Sequence, residues 1–321
     1  MLLSSLETTS YSQQKTILRC PKKFEYQYVR KLKPKKTEAR FLLGRAVHTF
    51  LEHYYRYQVS NPDKDKAFEA GFKAFEEYVQ QNFPQDDESF EQADLAEGMI
   101  RHYHRWATKE DDFVVLEAEI PFELKLDEHT THRGVIDVLV QNGDGLWIME
   151  HKTASQINTS HTLLDQQIST YVMACKQFDI DLKGVIYNTL RKAVPKKPKV
   201  LKSGQLSRSL DNNITYESYL EAIQELGQDP SEYQDVLNEL QNRPNTFFHR
   251  EYVVRTDHAI QEAWKDIQKA EALKQALVGA NVFPRNATRD CTWDCPYYEL
   301  CLAELEGNDV EMLLAEKFVI D

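Results

Sequence analysis

The tetrapeptide Asn142-Gly143-Asp144-Gly145 separates two strand-like runs, Gly134 to Val140 and Leu146 to Glu150. Asn and Gly tolerate the left-handed backbone that a tight hairpin turn demands, so these runs are expected to pair. The turn fixes a register. With a loop of two residues or of four, facing positions add to 287, which sets Asp137 opposite Glu150. Side chains alternate along a strand, so Lys152 shares the face of Glu150, while His151 and Thr153 take the other face and receive no chemistry. Facing carboxylates repel, and a divalent cation between them removes that penalty. Mg²⁺ or Mn²⁺ prefers hard oxygen ligands and suits phosphodiester hydrolysis, with Lys152 placed to orient water or to meet charge building on the phosphate. A solvent-facing ion pair is the competing reading. The apolar neighbours Val135, Ile136, Val138, Trp147, Ile148 and Met149 place the trio in a sheet core instead.

The remaining chain supplies a frame for that hairpin. Apolar spacing near the helical period predicts helices over residues 41–58, 64–82 and 88–108, followed by a strand over 113–124. A helix from Ser160 to Phe178, a strand from Gly184 to Leu190 and a basic loop containing Pro195 and Pro198 come next. Residues 215–242 read as helical, Phe247 to Arg255 as a strand, and Asp257 to Val278 as a long amphipathic helix. The order implies an α/β protein with a mixed central sheet flanked by helices. Residues 1–110 form a helical N-terminal part, 111–280 a core with the basic loop, and 281–321 a terminal segment, all in one integrated domain. At 321 residues and 41% hydrophobic content the chain can bury a full core. No apolar run is long enough to span a bilayer, and Met1 to Leu6 lack a basic lead and a signal core, so a cytosolic protein is expected.

Five cysteines are too few for a secreted disulfide scaffold, which leaves reduced thiols free to bind metal. Cys20 lies near the start, and Cys291, Cys295 and Cys301 form a C-x3-C-x5-C group near the end. A shared metal or iron-sulfur centre would tie the two termini together. Cys175 lies on the apolar helical pattern Leu164, Ile168, Tyr171 and Val172 and reads as a buried packing thiol.

The net charge of −12 argues against a polyanionic partner until its distribution is considered. Residues 11–40 hold ten Lys/Arg against Glu25 and Glu38, and residues 191–208 hold seven with no acid, so two basic islands stand on an acidic body. Local potential steers a polyanion more than the total does. In the first island Tyr11, Phe24, Tyr26 and Tyr28 alternate with basic residues, a mix suited to stacking on bases while neutralising phosphates, although part of it must serve the core.

Taken in order, these motifs resemble the PD-(D/E)xK nuclease superfamily, in particular its RecB-like branch with AddB-type, CRISPR-associated and phage exonuclease-like members. The resemblance covers residues 12 to 303. Asp137, Glu150 and Lys152 match its catalytic motif, with Ile136 where the family name has Pro. Gly44-Arg45-Ala46-Val47-His48 resembles the upstream helical motif and implies His48 as a third metal ligand beside Asp137 and Glu150. Alone, such a histidine reads as a packing residue. Gln167-Ile168-Ser169-Thr170-Tyr171 resembles the downstream Q-x3-Y motif and implies that Gln167 and Tyr171 contact DNA.

The cysteines resemble the iron-sulfur members, which implies a [4Fe-4S] cluster on Cys20, Cys291, Cys295 and Cys301. The familiar terminal spacing is C-x2-C-x5-C, and zinc on four thiolates is the alternative occupant. The implied fold is restriction-endonuclease-like. The implied activity is that of a Mg²⁺- or Mn²⁺-dependent deoxyribonuclease, an exonuclease on single-stranded DNA or DNA ends in replication, recombination or repair. Lys196, Lys197, Lys199 and the basic stretch from 15 to 36 would follow phosphates. Glu119, on the preceding strand, is a weaker candidate for a further carboxylate. A catalytically silent nucleic-acid-binding accessory protein on the same scaffold and a zinc-stabilised interaction protein are the alternatives.

Overall fold

The computed structural model describes residues 7–36 and 38–320. Met1 to Leu6, on which the signal-segment expectation rests, lie outside the described residues. From the N-terminus the elements are β1 (Thr8–Thr9), α1 (Tyr11–Arg19), α2 (Pro21–Phe24) with a π-helical turn (Glu25–Val29), and β2 (Leu32–Pro34). Three long helices follow: α3 (Ala39–Gln58), α4 (Lys64–Asn82) and α5 (Asp87–Glu110). The centre holds β3 (Val114–Lys125), β4 (Thr131–Asn142), β5 (Gly145–Ala154), α6 (Gln166–Gln177) and β6 (Leu182–Arg191). Then come α7 (Tyr216–Glu225), α8 (Gln234–Gln241), β7 (Phe248–Val253) and α9 (Asp257–Ala280). The chain closes with α10 (Cys291–Asp294), α11 (Tyr298–Glu306), α12 (Glu311–Lys317) and β8 (Phe318–Ile320).

Capping chemistry sets the helix starts. The Asp63 carboxylate accepts from the Asp65 and Lys66 amides at the head of α4, and Asp86 accepts from Ser89 at the head of α5. Both helices lie within two residues of their expected bounds. The single helix expected over 215–242 is two helices, because Gly227 adopts a φ of 61° and Pro230 opens a short 3₁₀ turn (Pro230–Tyr233). The helix expected from Ser160 begins at Gln166, where the Asp165 side chain caps it.

The six strands β1 and β3 to β7 form one mixed sheet, in which β5 and β6 are parallel and the β3·β4, β4·β5 and β6·β7 pairs antiparallel. The β4·β5 ladder runs from Val138↔Met149 to Asn142↔Gly145, the register read from the turn. Its end decides the rest. β3 occupies one edge of β4 along nearly its whole length, so β5 shares the other edge with β1, which pairs at Thr131 and His132. Between those two partners Arg133 to Asp137 have no strand neighbour on that edge among the described residues.

Helices α3 and α5 cover one face of the sheet through Leu43, Val47, Phe50, Tyr54, Met99 and Tyr103 against Val138, Val140, Met149 and Ile186, and α4 packs on α3. On the other face α6 and α9 pack Ile168, Tyr171, Val172 and Ile260 onto Ile148, Val185 and Val253. The mixed α/β architecture with a central sheet flanked by helices is thus present. One apolar cluster contains residues from both sides of position 110. The segment between β6 and β7 carries a smaller core of its own around Tyr219, Ile223, Tyr233 and Leu237. Among the described residues no helix is long and apolar enough to cross a membrane.

Three short strands escape the periodicity reading: β1, β2 and β8. β2 pairs antiparallel with β8, Leu32 with Ile320, so the two ends of the chain meet in a two-stranded sheet. Around it Lys22 and Arg30 reach Glu304 at 3.0 and 2.6 Å, and Arg19 reaches Asp294 at 2.6 Å. Tyr26 and Phe24, expected in part to stack on bases, are buried instead; Tyr26 donates to Glu304 at 2.8 Å and packs with Tyr297 and Leu300. Much of the first basic island is therefore engaged within the fold.

α3 crosses α4 closely at Gly71, where an added Cβ would stand 2.8 Å from the Phe50 carbonyl oxygen and 2.9 Å from its ring. Backbone cannot yield as a side-chain tip can. Gly71→Ala is expected to lower stability by about 1–3 kcal/mol through overpacking, measured by denaturant unfolding.

Candidate active site

Asp137 stands where the β4·β5 ladder ends, one position beyond the last pair. Its carboxylate accepts the backbone N–H of His151 at 2.8 Å, replacing the carbonyl that a continuing ladder would offer. The strands part at this point, and the carboxyl of Asp137 lies within hydrogen-bonding reach of Glu150. Glu150 is buried, and its register partner on β6 is Tyr187. On the other side Glu119 sits opposite Asp137, flanked by the pairs Ala118↔Val138 and Ile120↔Ile136. A row of Glu119, Asp137 and Glu150 thus crosses three strands.

Four side chains close a ring of hydrogen bonds on this row. Lys152 donates to Glu150 at 2.5 Å and to the Gln167 carbonyl oxygen at 2.9 Å. Gln167 donates to the Tyr171 hydroxyl at 2.6 Å, and Tyr171 donates to the second Glu150 oxygen at 2.8 Å. Gln167 and Tyr171 lie one helical turn apart on α6, which is why both reach the same carboxylate. The residues implied by sequence to contact DNA thus engage Glu150 and Lys152 in this arrangement.

Electrostatics follow from burial and crowding. Burial and the charge of Asp137 push the Glu150 carboxyl up to about 7, against the pull of Lys152 and Tyr171. Asp137 rises to about 6, mainly by burial, although the His151 amide and Lys152 favour its ionised form. Glu119 also rises to about 6, from burial and the nearby Glu52. Burial works against the Lys152 ammonium, yet Glu150 holds its pKa above the ordinary lysine range.

His48 reaches the site from α3, which approaches β5 closely at Gly44; a Cβ there would lie 3.2 Å from the Thr153 hydroxyl. Burial and then Lys152 lower the pKa of His48, while Glu150 raises it, so the ring is neutral at pH 7. Two crowded carboxylates whose charge burial opposes, with a neutral imidazole nearby, form a donor set that suits Mg²⁺ or Mn²⁺. In the described geometry Lys152 and Tyr171 occupy the Glu150 oxygens, and no three His, Cys, Asp or Glu side chains among the described residues are grouped to hold a metal ion. A cleft of about 1000 Å³ runs past His48, Gly44 and Thr153 and is lined by Lys23, Arg45 and Lys192.

The other sequence candidates lie apart from this ring. Lys196 and Lys199 are exposed on the loop after β6, and Lys197 pairs with Glu225 at 2.5 Å. Cys20, Cys291, Cys295 and Cys301 are half-buried free thiols where the termini meet. Burial raises the Cys295 thiol pKa, and Cys291 and Cys20 lie close enough to add to it. The Cys291 sulfur accepts from the Thr288 amide at 3.4 Å, and the Cys301 sulfur from Arg285 at 3.3 Å. Cys175 is buried, with its thiol pushed up to about 11. Sequence reasoning set His151 aside, whereas the structure buries it beside His48 and joins its ring to Asn188 at 2.9 Å. The amide Asn188 within the largely apolar run Gly184–Leu190 was the available signal.

The whole site falls within a match to the family model of the PD-(D/E)XK nuclease superfamily that spans residues 8–302. The chain belongs to that superfamily, whose members are hydrolytic nucleases acting on DNA and typically using Mg²⁺ or Mn²⁺. A crystal structure described as a "Putative exonuclease" from Eubacterium rectale is similar over 90% of this chain and 88% of that one, with a TM-score of 0.50 and 12% identity, a likeness of fold. No curated protein matches the chain.

The raised carboxyls carry a consequence for stability. Asp137 and Glu150 titrate near 4 when unfolded but near 6 and 7 when folded, so between those limits the folded chain binds more protons. Metal-free stability from this pair is therefore fully present below about pH 4 and is lost as pH rises through 6 and 7. Glu150→Gln is expected to flatten that decline, read as a smaller difference in Tm between pH 5 and pH 8.

Proposed function

We propose that the chain is a Mg²⁺- or Mn²⁺-dependent deoxyribonuclease of the RecB-like branch that hydrolyses phosphodiester bonds at DNA ends or in single strands. The reading is carried by the buried Asp137–Glu150 pair set beside Lys152 where two strands part. Asp137, Glu150 and His48 would hold the ion, and the ion would polarise the phosphate and lower the pKa of an attacking water. Lys152 brings a positive charge to the place where negative charge grows on the phosphoryl oxygens. Gln167 and Tyr171 restrict Glu150 and Lys152 to one arrangement, so less reorganisation is required at reaction. Lys23, Arg45 and Lys192 line a cleft that leads to His48, and Lys196 and Lys199 stand exposed to follow phosphates further out.

The four half-buried thiols at the joined termini are proposed to take a [4Fe-4S] cluster, with zinc as the alternative. The reading rests on the donor type, the shared neighbourhood of Cys20, Cys291 and Cys295, and N–H donors aimed at two sulfurs. Such a centre would be structural, because phosphodiester hydrolysis transfers no electrons. Anaerobically purified protein is then expected to be brown with absorbance near ~400 nm, whereas a colourless sample with stoichiometric zinc would replace the cluster assignment.

For the hydrolase itself, Asp137→Ala and Lys152→Ala are each expected to reduce cleavage about a hundredfold or more while leaving DNA binding largely intact. End-labelled single- and double-stranded DNA, with Mn²⁺ and with a chelator, provides the assay. Undiminished cleavage by both variants would remove the assignment.

A further inference from the structure

A chain of hydrogen bonds runs behind the candidate site through the buried side of the sheet. It begins at Arg250 and Asp111, an ion pair whose side chains are 7% and 1% exposed. The guanidinium lies over Trp106 and Phe113, 4.6 and 5.2 Å from their ring centroids, so Asp111 is its counter-charge. An ionised carboxylate only accepts. Tyr55 therefore donates its proton to Asp111 at 3.3 Å, and at the 2.7 Å contact between Tyr55 and Tyr103 the donor must be Tyr103.

With that proton committed, Tyr103 accepts from Asn188, whose Nδ2 is 2.9 Å away. The same Nδ2 lies 2.9 Å from His151 Nδ1, so its second N–H is donated there. Nδ1 is then the bare nitrogen. A ring whose Nδ1 accepts a hydrogen bond is neutral and carries its proton on Nε2. Nε2 has no protein acceptor among the described residues, so the tautomer is dictated from the Asp111 side alone. The ring is stacked on Tyr55 at 5.2 Å and lies edge-on to His48 at 6.4 Å, while its backbone N–H holds Asp137.

We propose that Asn188, backed by Tyr103, Tyr55, Asp111 and Arg250, is a positioning residue that fixes the tautomer and plane of His151, and through them the placement of His48 and Asp137. The tautomer stands independently of the nuclease reading, and the effect on metal binding rests on it. Asn188 touches no reacting atom in this scheme. Its amide selects which imidazole nitrogen is protonated, and the locked ring passes that constraint to the two sides of the site.

The full-length protein labelled with ¹⁵N-histidine tests the chain directly by NMR at pH 7, the His151 signal being assigned by its loss in His151→Gln. The expected state is neutral with the proton on Nε2, and a proton on Nδ1 would overturn the proposal with no variant needed. Asn188→Asp replaces the amino donor by an acceptor and is expected to move the proton to Nδ1. The same variant is expected to weaken Mn²⁺ binding, read by calorimetry, by about tenfold. Tyr103→Phe should give a smaller loss. A folded Asn188→Asp protein that keeps both the parent tautomer and the parent Mn²⁺ affinity would refute the positioning role. Absence of cleavage by the parent protein with Mg²⁺ or Mn²⁺ would instead refute the nuclease reading, and full cleavage by Asp137→Ala would refute its active-site assignment; both leave the His151 tautomer untouched.

Discussion

Everything at the candidate site depends on one hydrogen bond that a β-ladder would normally not contain, the His151 amide to the Asp137 carboxylate. A buried backbone N–H must find an acceptor, and a charged side chain serves as well as a carbonyl. By supplying that acceptor, Asp137 lets β4 leave β5 without stranding a donor. The departure opens the edge of β4, and β1 closes it again further along. The carboxylates face the opening because the strands separate there. A ladder that continued past Asp137 would have filled the space with backbone.

The hairpin was legible because turn chemistry and side-chain alternation are local properties. Asn142 to Gly145 sufficed to set Asp137 against Glu150, and a one-residue slip would have turned every apolar neighbour outward. Helices α4 and α5 were legible for the same reason, through apolar spacing near the helical period. β1, β2 and β8 were not. Each is two or three residues long, too short for periodicity, and each exists only because a partner far along the chain completes it. Glu119 sits at a φ of 55°, a conformation that nothing in an alternating strand announces. Asn188 was visible as a polar residue in an apolar run, but its meaning depends on Tyr103, which arrives from a helix 85 positions earlier.

Charge distribution has a different outcome from charge composition. The first basic island was expected to face a polyanion, and a large part of it meets acids at the other end of the same chain. Arg19, Lys22 and Arg30 join Asp294 and Glu304, while Phe24 and Tyr26 fill the space beneath. The island and the C-terminal cysteine segment are therefore two halves of one clamp. Lys23, Arg45 and Lys192 are among the basic residues that line the cleft beside His48. Sequence alone could not divide the island in this way, since the acids that engage it lie more than 250 residues on.

The site is also where the fold is least content with itself. Two apolar layers bury the centre of the sheet, and the same layers withhold water from Asp137 and Glu150. Removing solvent from neighbouring carboxylates disfavours their charge, and Lys152 relieves only part of this because one ammonium faces two acids. A cation bound between them would offset what burial withholds, since attraction strengthens as the local dielectric falls. The cost of keeping the carboxylates dry and the strength with which they would hold a divalent ion are thus the same interaction seen with and without its partner. For that reason the rigid surroundings matter. A softer site would let Glu150 turn to solvent, and the ring through Lys152, Gln167 and Tyr171 with the locked His151 on the opposite face leaves it nowhere to turn.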